Sequence, residues 1–166
     1  WKNALCLQFT LPGSPLIYYG EEIGLISGND PYCRQPMPWQ EIGERSEELE
    51  FFKKFTSMYK SNDAVNGGEF ETLESNNKEI ITFSRFTDKL DDYTAVILNN
   101  SEREQEFSLI SRESRLMNHG LLKDVFSDNT IKSNNSILRG KIAPYSFGIY
   151  KPERNWGRYS PYKRLK

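Results

Sequence analysis

The second half of the sequence constrains the fold most, because from Glu69 onward short apolar runs alternate with turn residues. Runs of this length and spacing predict the strands of an antiparallel β-sandwich with Greek-key connections. The runs are FETL, EIITFSRF, YTAVILN, EFSLI, KDVF, SILRG and YSFGIY. The stretch before them, residues 61–68 (SNDAVNGG), is rich in turn residues and is interpreted as a boundary between two domains.

Residues 46–60 carry a helical pattern. Glu47 and Glu48 lie in the first turn, where carboxylates suit the helix dipole, and Ser46 is a candidate N-cap. Apolar residues recur at helical spacing and predict one face that packs into a core. They are Phe51, Phe52, Phe55, Met58 and Tyr59.

The N-terminal third predicts one helix and one strand. A helix over residues 1–11 is expected to end near Pro12 and Gly13, because proline cannot continue a helix. The apolar run at residues 15–19 (PLIYY) has the composition of a strand buried on both faces, as in a parallel sheet. Such a strand needs neighbouring strands that this chain does not contain, and the chain opens at Trp1 in an apparent mid-helix. We therefore interpret it as a piece of a longer protein.

Composition excludes several classes of partner. The net charge is -1 and the pI is near 6.0, so no basic field points to a nucleic-acid partner. Apolar runs are too short for a membrane span, and we expect no membrane partner. Cys6, Cys33 and His119 form no metal-ligand spacing, so neither a metal nor a cofactor is expected. The compartment is left unassigned.

Two motifs, together with the last predicted strand, carry a resemblance to a known family. LPGSPLIYYGEEIG (residues 11–24) resembles the segment around the eighth barrel strand of the α-amylase family of glycoside hydrolases. GNDPYCRQPMPW (residues 28–39) is similar to the loop after that strand, in the form found in the neopullulanase, cyclomaltodextrinase and maltogenic amylase group. APYSFGIYK (residues 143–151) resembles the last strand of the family's C-terminal sandwich.

The resemblance implies an α+β organisation in three parts. Residues 1–66 would be the C-terminal end of a (β/α)8 catalytic barrel, with its last strand and its last helix. Residues 67–152 would be the all-β sandwich domain. Residues 153–166 are basic and carry aromatic residues, and we interpret them as a loosely docked tail, with a site for an anionic partner as the alternative.

The resemblance also implies a function. The chain would be the C-terminal part of an α-glucan-acting glycoside hydrolase. The intact barrel of the full-length parent protein would bind α-glucan oligosaccharides. A homo-oligomeric parent is one of the arrangements left open. The family's aspartate nucleophile, glutamate acid/base and third aspartate would all precede Trp1. Retaining chemistry needs two carboxyl groups about 5 Å apart across the scissile bond. No catalytic residue is therefore assigned here, and the chain alone is expected to be inactive.

A second hypothesis is a sandwich that binds starch by itself, and a third is a purely structural sandwich. Binding by the sandwich would need exposed aromatic rings on one face. Tyr93, Tyr145 and Tyr150 are available, but their alternation along the strands equally suits core packing.

The candidate substrate-binding residues are Asp30, Arg34 and Tyr32. The resemblance implies that Asp30 and Arg34 touch sugar in the second donor-side subsite, where a carboxylate accepts from hydroxyl groups and a guanidinium donates. The alternative is an ion pair that only braces its loop. Tyr32 and Trp39 could each stack on a sugar face, but for Trp39 burial by the turn before it is the favoured interpretation.

The adjacent acids Glu21 and Glu22 are interpreted as structural. Neighbouring side chains on an extended strand point to opposite sides, which is a poor arrangement for an acid/base pair. We expect Glu22 to be tied into neighbouring loops and Glu21 to lie nearer solvent.

Overall fold

The computed structural model describes residues 1–26, 28–43, 46–89, 92–111 and 120–153, without the side chains of Glu41 and Ser46. His119, the Ser46 cap and residues 154–166 of the basic tail therefore lie outside the described residues. The helices are α1 (Lys2–Thr10), α2 (Ser46–Ser61) and α3 (Asp63–Gly67), and single 3₁₀ turns occur at Glu21–Ile23, Tyr32–Arg34 and Trp39–Glu41. The strands are β1 (Glu69–Thr72), β2 (Glu74–Ser75), β3 (Ile80–Phe86), β4 (Tyr93–Asn99), β5 (Gln105–Ile110), β6 (Leu121–Asp124), β7 (Thr130–Asn134), β8 (Ile137–Ile142) and β9 (Phe147–Pro152).

The strands form one nine-stranded antiparallel sheet in the order β1-β3-β4-β9-β6-β7-β8-β5-β2. Its two edge strands, β1 and β2, are consecutive in the chain and are joined at Leu73, whose N–H donates to the Thr82 carbonyl at 3.3 Å. The sheet is therefore nearly closed. β6, β7 and β8 follow one another and β9 returns beside β6, which is the Greek-key order. The prediction of an antiparallel sandwich is confirmed.

The sheet separates two cores. The inner core fills the space enclosed by the strands, and the outer core lies between the helices and strands β3, β4 and β9. β4 is buried along its whole length because Ile97 faces the inner core and Val96 faces the helices. The inner core consists of Leu73, Ile80, Tyr93, Ala95, Ile97, Phe107, Leu109, Leu122, Ile131, Leu138, Ile142 and Tyr150.

The apolar face predicted for α2 is confirmed. Phe55 is fully buried, and its ring lies 5.4 Å from that of Phe9 in α1 and 4.4 Å from that of Phe126 after β6. The ring of Phe147 in β9 lies 5.5 Å away. One aromatic side chain of α2 thus contacts both α1 and the sheet, which holds the helical layer against the sandwich.

The segment over residues 61–68 is packed rather than linker-like. It contains α3, whose Ala64 and Val65 are fully buried, and Asn62 is buried beside Thr94, with a contact of 3.0 Å between the two side chains. Turn-forming residues led to the interpretation of a domain boundary here, and that interpretation stays a prediction. The helical turn forms because its two apolar residues can be covered by β3 and β4.

The predicted strand at residues 15–19 is absent, which corrects the sequence interpretation. These residues lie outside any strand or helix and Leu16 is 82% exposed. A parallel strand requires neighbours for its backbone hydrogen bonds and for both faces, and the described residues place none beside this segment. Conversely, β2 and β7 were not predicted, since β7 (TIKSN) contains a single apolar residue.

Candidate active-site loops

The segment after the apolar run is a tight turn held against α2. Gly20 adopts a left-handed backbone with φ of 91°, and its carbonyl accepts the Leu25 N–H at 2.9 Å. A Cβ at Gly20 would lie 2.6 Å from the Leu25 side chain, so both conformation and space require glycine. The 3₁₀ turn Glu21–Ile23 contacts α2, and Ile23 is buried. The turn is therefore a fixed base for the loop that follows.

Glu21 and Glu22 are used by this turn. The Oε2 atom of Glu22 accepts the Gly20 N–H at 2.7 Å, and that of Glu21 accepts the Tyr18 N–H at 3.2 Å. The two acids lie in a 3₁₀ turn rather than on an extended strand, and the Glu22 bond lies within that turn rather than reaching a neighbouring loop. Glu21 is exposed, as predicted, and Glu22 is half-buried. Both carboxylates satisfy backbone donors at the turn.

The loop over residues 28–38 brings Asp30 and Arg34 together. The peptide bond between Asp30 and Pro31 is cis, and the 3₁₀ turn Tyr32–Arg34 follows, with the Arg34 N–H donating to the Pro31 carbonyl at 3.0 Å. The Arg34 Nε lies 3.0 Å from the Asp30 Oδ1, and both side chains are largely exposed. The Cys33 thiol contacts the same Oδ1 at 3.7 Å. The turn thus presents a carboxylate and a guanidinium side by side toward solvent.

Two aromatic side chains lie in or next to this loop. Tyr32 is 76% exposed, in line with a ring available for stacking. Trp39 is 73% exposed, so the prediction of a buried indole is wrong. A proline-rich turn restricts its own backbone, but covering an indole ring takes a second element, and none in the described part of the chain does so.

Sequence reasoning missed two side chains that connect the loop to the turn before it. The Tyr19 hydroxyl donates to the Gln35 carbonyl at 3.0 Å, and the Gln35 side-chain amide donates to the Ile26 carbonyl at 2.8 Å. The Tyr19 ring also lies 4.7 Å from the ring of Tyr18. No local pattern marks these residues, since a tyrosine at the end of an apolar run is typical of ordinary core packing.

An apolar groove of about 440 Å³ runs beside the turn, between α1, α2 and the chain around Leu25. Its wall includes Trp1, Leu5, Gln8 and Phe52. The Gln8 side-chain amide donates to the Leu16 carbonyl and so ties the exposed apolar segment to α1.

The sandwich does not present the three tyrosines as one exposed face. Tyr93 and Tyr150 are buried in the inner core, whereas Tyr145 is exposed on the turn before β9, with φ of 47°. Burial, reinforced by the negative charge of Asp124, raises the pKa of Tyr150 to about 12. The alternation of these residues therefore reflects packing.

Other reactive groups are few within the described ranges. Burial raises the pKa of the Cys6 thiol far above its ordinary value, so Cys6 is a packing residue. The described residues contain no group of three or more His, Cys, Asp or Glu side chains arranged to hold a metal. None of the helices in those ranges is long and apolar enough to cross a membrane.

Comparison with known proteins identifies the family of this chain. No protein-family model matches it. A cyclomaltodextrinase of Thermoanaerobacter pseudethanolicus is 31% identical over 137 residues, covering 82% of this chain and 22% of that protein. Neopullulanase 2 of Thermoactinomyces vulgaris is 32% identical over 114 residues, covering 69% and 19%. The chain belongs to the α-amylase family of glycoside hydrolases.

The solved structure of a cyclomaltodextrinase supports the fold. It matches 90% of this chain and 25% of its own, with a TM-score of 0.75 and 24% identity. The resemblance inferred from the two motifs is confirmed, and the antiparallel sheet matches a β-sandwich domain of α-amylase-family enzymes. The chain spans about a fifth of the length of the two curated relatives named above.

Proposed function

We propose that this chain supplies the C-terminal part of an α-glucan-acting glycoside hydrolase. Residues 1–66 would complete the catalytic barrel, residues 67–152 would form the sandwich domain, and the basic tail would follow. The names of the relatives, cyclomaltodextrinase and neopullulanase, support α-glucans as the substrate class. The catalytic carboxylates would come from the rest of the barrel.

The exposed apolar segment supports the barrel assignment. A continuous apolar run is exposed to solvent, and the carbonyl of its first residue accepts a bond from Gln8 in the wall of the apolar groove. The run consists of Leu16, Ile17, Tyr18 and Tyr19. Soluble proteins rarely leave a contiguous apolar surface uncovered unless another surface packs on it. Neighbouring barrel strands would supply both the missing backbone partners and the cover for this run.

The observation that carries the binding proposal is the exposed Asp30–Arg34 pair at 3.0 Å, with the exposed ring of Tyr32 on the same turn. An exposed ion pair contributes only about 0–1 kcal/mol, so sugar hydroxyls can replace water around it at little cost. The Asp30 carboxylate accepts hydrogen bonds from sugar hydroxyls, and the planar Arg34 guanidinium donates hydrogen bonds to them. The Tyr32 ring offers an apolar face on which a sugar ring can stack. We propose that these three residues contact a glucose unit on the donor side of the cleaved bond.

A sandwich that binds starch by itself has less support, because two of its three candidate tyrosines are buried. A titration of the ¹⁵N-labelled chain with maltotetraose distinguishes the two sites. Binding at the loop would shift NMR signals from residues 28–39 and would be lost in Arg34→Ala. Shifts confined to the turn that carries Tyr145 would contradict the loop proposal and favour the sandwich.

A further inference from the structure

We infer that Tyr19 and Gln35 are positioning residues that clamp the base of the 28–38 loop and thereby hold the Asp30–Arg34 pair in its orientation. The consequence for sugar binding rests on the function proposed above, whereas the clamp itself does not.

The turn before the loop is a firm support. Its centre, Ile23, is buried, and its ends are joined by the Leu25 N–H bond to the Gly20 carbonyl. The Glu22 carboxylate accepts the Gly20 N–H as well. Tyr19 directly precedes this closed turn, so a bond from its hydroxyl ties another segment to a backbone that is already fixed.

The two clamp bonds meet at the two ends of the loop. Ile26 lies where the chain leaves the turn, and its carbonyl accepts the Gln35 amide at 2.8 Å. Gln35 lies where the chain returns, and its carbonyl accepts the Tyr19 hydroxyl at 3.0 Å. One residue is therefore held twice, through its side chain and through its backbone, and the loop between Ile26 and Gln35 is closed at its base.

The clamp acts directly on Arg34, which precedes Gln35 in the chain. The backbone of Arg34 is held from the other side by its N–H bond to the Pro31 carbonyl at 3.0 Å. The Asp30–Arg34 pair is too exposed to fix the loop by itself, because surface ion pairs are weak. A loop that is already ordered loses less conformational entropy when a sugar binds, so binding costs less free energy.

The test uses the whole chain and variants that delete only clamp donors. Tyr19→Phe removes the hydroxyl, and Gln35→Met removes the amide at similar size. Tyr145→Phe is the matched control, since it removes the hydroxyl of an exposed tyrosine on the turn before β9. NMR would record hydrogen exchange of the Tyr32 and Arg34 backbone amides and of the Arg34 Nε–H, and urea unfolding would record global stability.

We expect exchange at Tyr32 and Arg34 to become roughly two- to tenfold faster in each clamp variant, which is the effect of losing one neutral hydrogen bond. The urea midpoint of each clamp variant should equal that of the unmodified chain. The control Tyr145→Phe should change neither the exchange rates nor the midpoint. Affinity for maltotetraose should fall by a similar factor. Unchanged exchange and an unchanged Arg34 Nε–H signal in the double variant Tyr19→Phe/Gln35→Met would overturn the clamp.

The two proposals fail in different ways. If exchange accelerates as expected but the unmodified chain shows no maltotetraose shifts at residues 28–39, the clamp is supported and the sugar site is contradicted. If the sugar binds the loop and the clamp variants bind it with unchanged affinity and unchanged exchange, the sugar site stands and the clamp is rejected.

Discussion

The guanidinium of Arg85 in β3 donates a 2.9 Å hydrogen bond to the carbonyl of Thr10, the last residue of α1. The same side chain donates to the carbonyls of Gly68 at 2.7 Å and Glu69 at 3.1 Å. Arg85 is buried, and the loss of water around it lowers its pKa. One charged group thus satisfies the carbonyl at the end of α1, the carbonyl at the start of β1 and that of Gly68, which lies between α3 and β1.

Replacing Arg85 should weaken the attachment of the helical layer to the sandwich and so lower the free energy of unfolding. Arg85→Met keeps the length of the side chain but leaves three carbonyls without this donor, and we expect a loss of about 2–4 kcal/mol in the free energy of unfolding. Urea unfolding monitored by fluorescence measures it. The control is Arg139→Met on the exposed side of β8, which should stay within about 0.5 kcal/mol. Equal effects of the two substitutions would contradict the role of Arg85.

Gly68 should tolerate no side chain. A Cβ there would lie 2.5 Å from the Phe86 carbonyl oxygen and closer still to that of Ala64, and backbone atoms cannot move aside cheaply. We expect Gly68→Ala to cost about 1–3 kcal/mol.

The neighbouring residue supplies the control for this prediction. A Cβ at Gly67 meets nothing within 4 Å, so Gly67→Ala should leave stability unchanged or raise it by up to about 1 kcal/mol. Thermal unfolding of both variants provides the measurement, and a Gly68→Ala protein as stable as Gly67→Ala would show that the close approach does not exist.

Stability should fall at alkaline pH because of Tyr150. Its folded pKa is raised to about 12, above the ordinary value of 10.0, so the folded state binds the phenolic proton more tightly. This contribution is complete below pH of about 10 and is lost as the pH rises through about 12, with a total on the order of 2 kcal/mol.

Variants isolate this contribution. Urea unfolding at a series of pH values should show a weaker alkaline decline in Tyr150→Phe than in the unmodified chain. Tyr145→Phe, which alters an exposed tyrosine, should keep the full decline. Identical pH profiles for Tyr150→Phe and the unmodified chain would refute the assignment.

Asp30 and Arg34 can be tested in an enzyme that joins this chain to a complete upstream barrel. If Arg34 donates to bound sugar, Arg34→Ala should weaken transition-state binding by about 1.5–3 kcal/mol, a fall of about 10- to 150-fold in kcat/KM. The loss should be larger for substrates that reach the second donor-side subsite, and Asp30→Ala should show the same dependence on length. A brace for the loop predicts instead equal losses at every length with a lowered melting temperature.

The chain by itself should not cleave α-glucans, because retaining hydrolysis needs a pair of carboxyl groups positioned across the bond. Glu21 and Glu22, the adjacent acids of the turn, are occupied by backbone N–H groups. Incubation with maltooligosaccharides, cyclodextrin and pullulan provides the test. Turnover that survives purification and disappears in Glu21→Gln or Glu22→Gln would refute this prediction and the structural role of both acids.

The sequence correctly predicted the features that depend on the spacing of apolar residues within a single helix or strand. The aromatic stripe of α2 faces the outer core, and each strand run predicted from Glu69 onward overlaps an observed strand. The pairing of Asp30 with Arg34 is likewise a short-range contact that their spacing makes possible. Such features depend on geometry within a few residues, which the sequence encodes directly.

Features that depend on distant residues were decided by tertiary structure. The run at residues 15–19 has the composition of a buried strand but is exposed, and Trp39 is exposed where a buried ring was predicted. Arg85, a residue type that is normally exposed, is buried because the carbonyls of Thr10, Gly68 and Glu69 converge on it. Burial is a property of what the rest of the fold brings against a side chain. Local periodicity can say which face is apolar, but not whether a partner covers it.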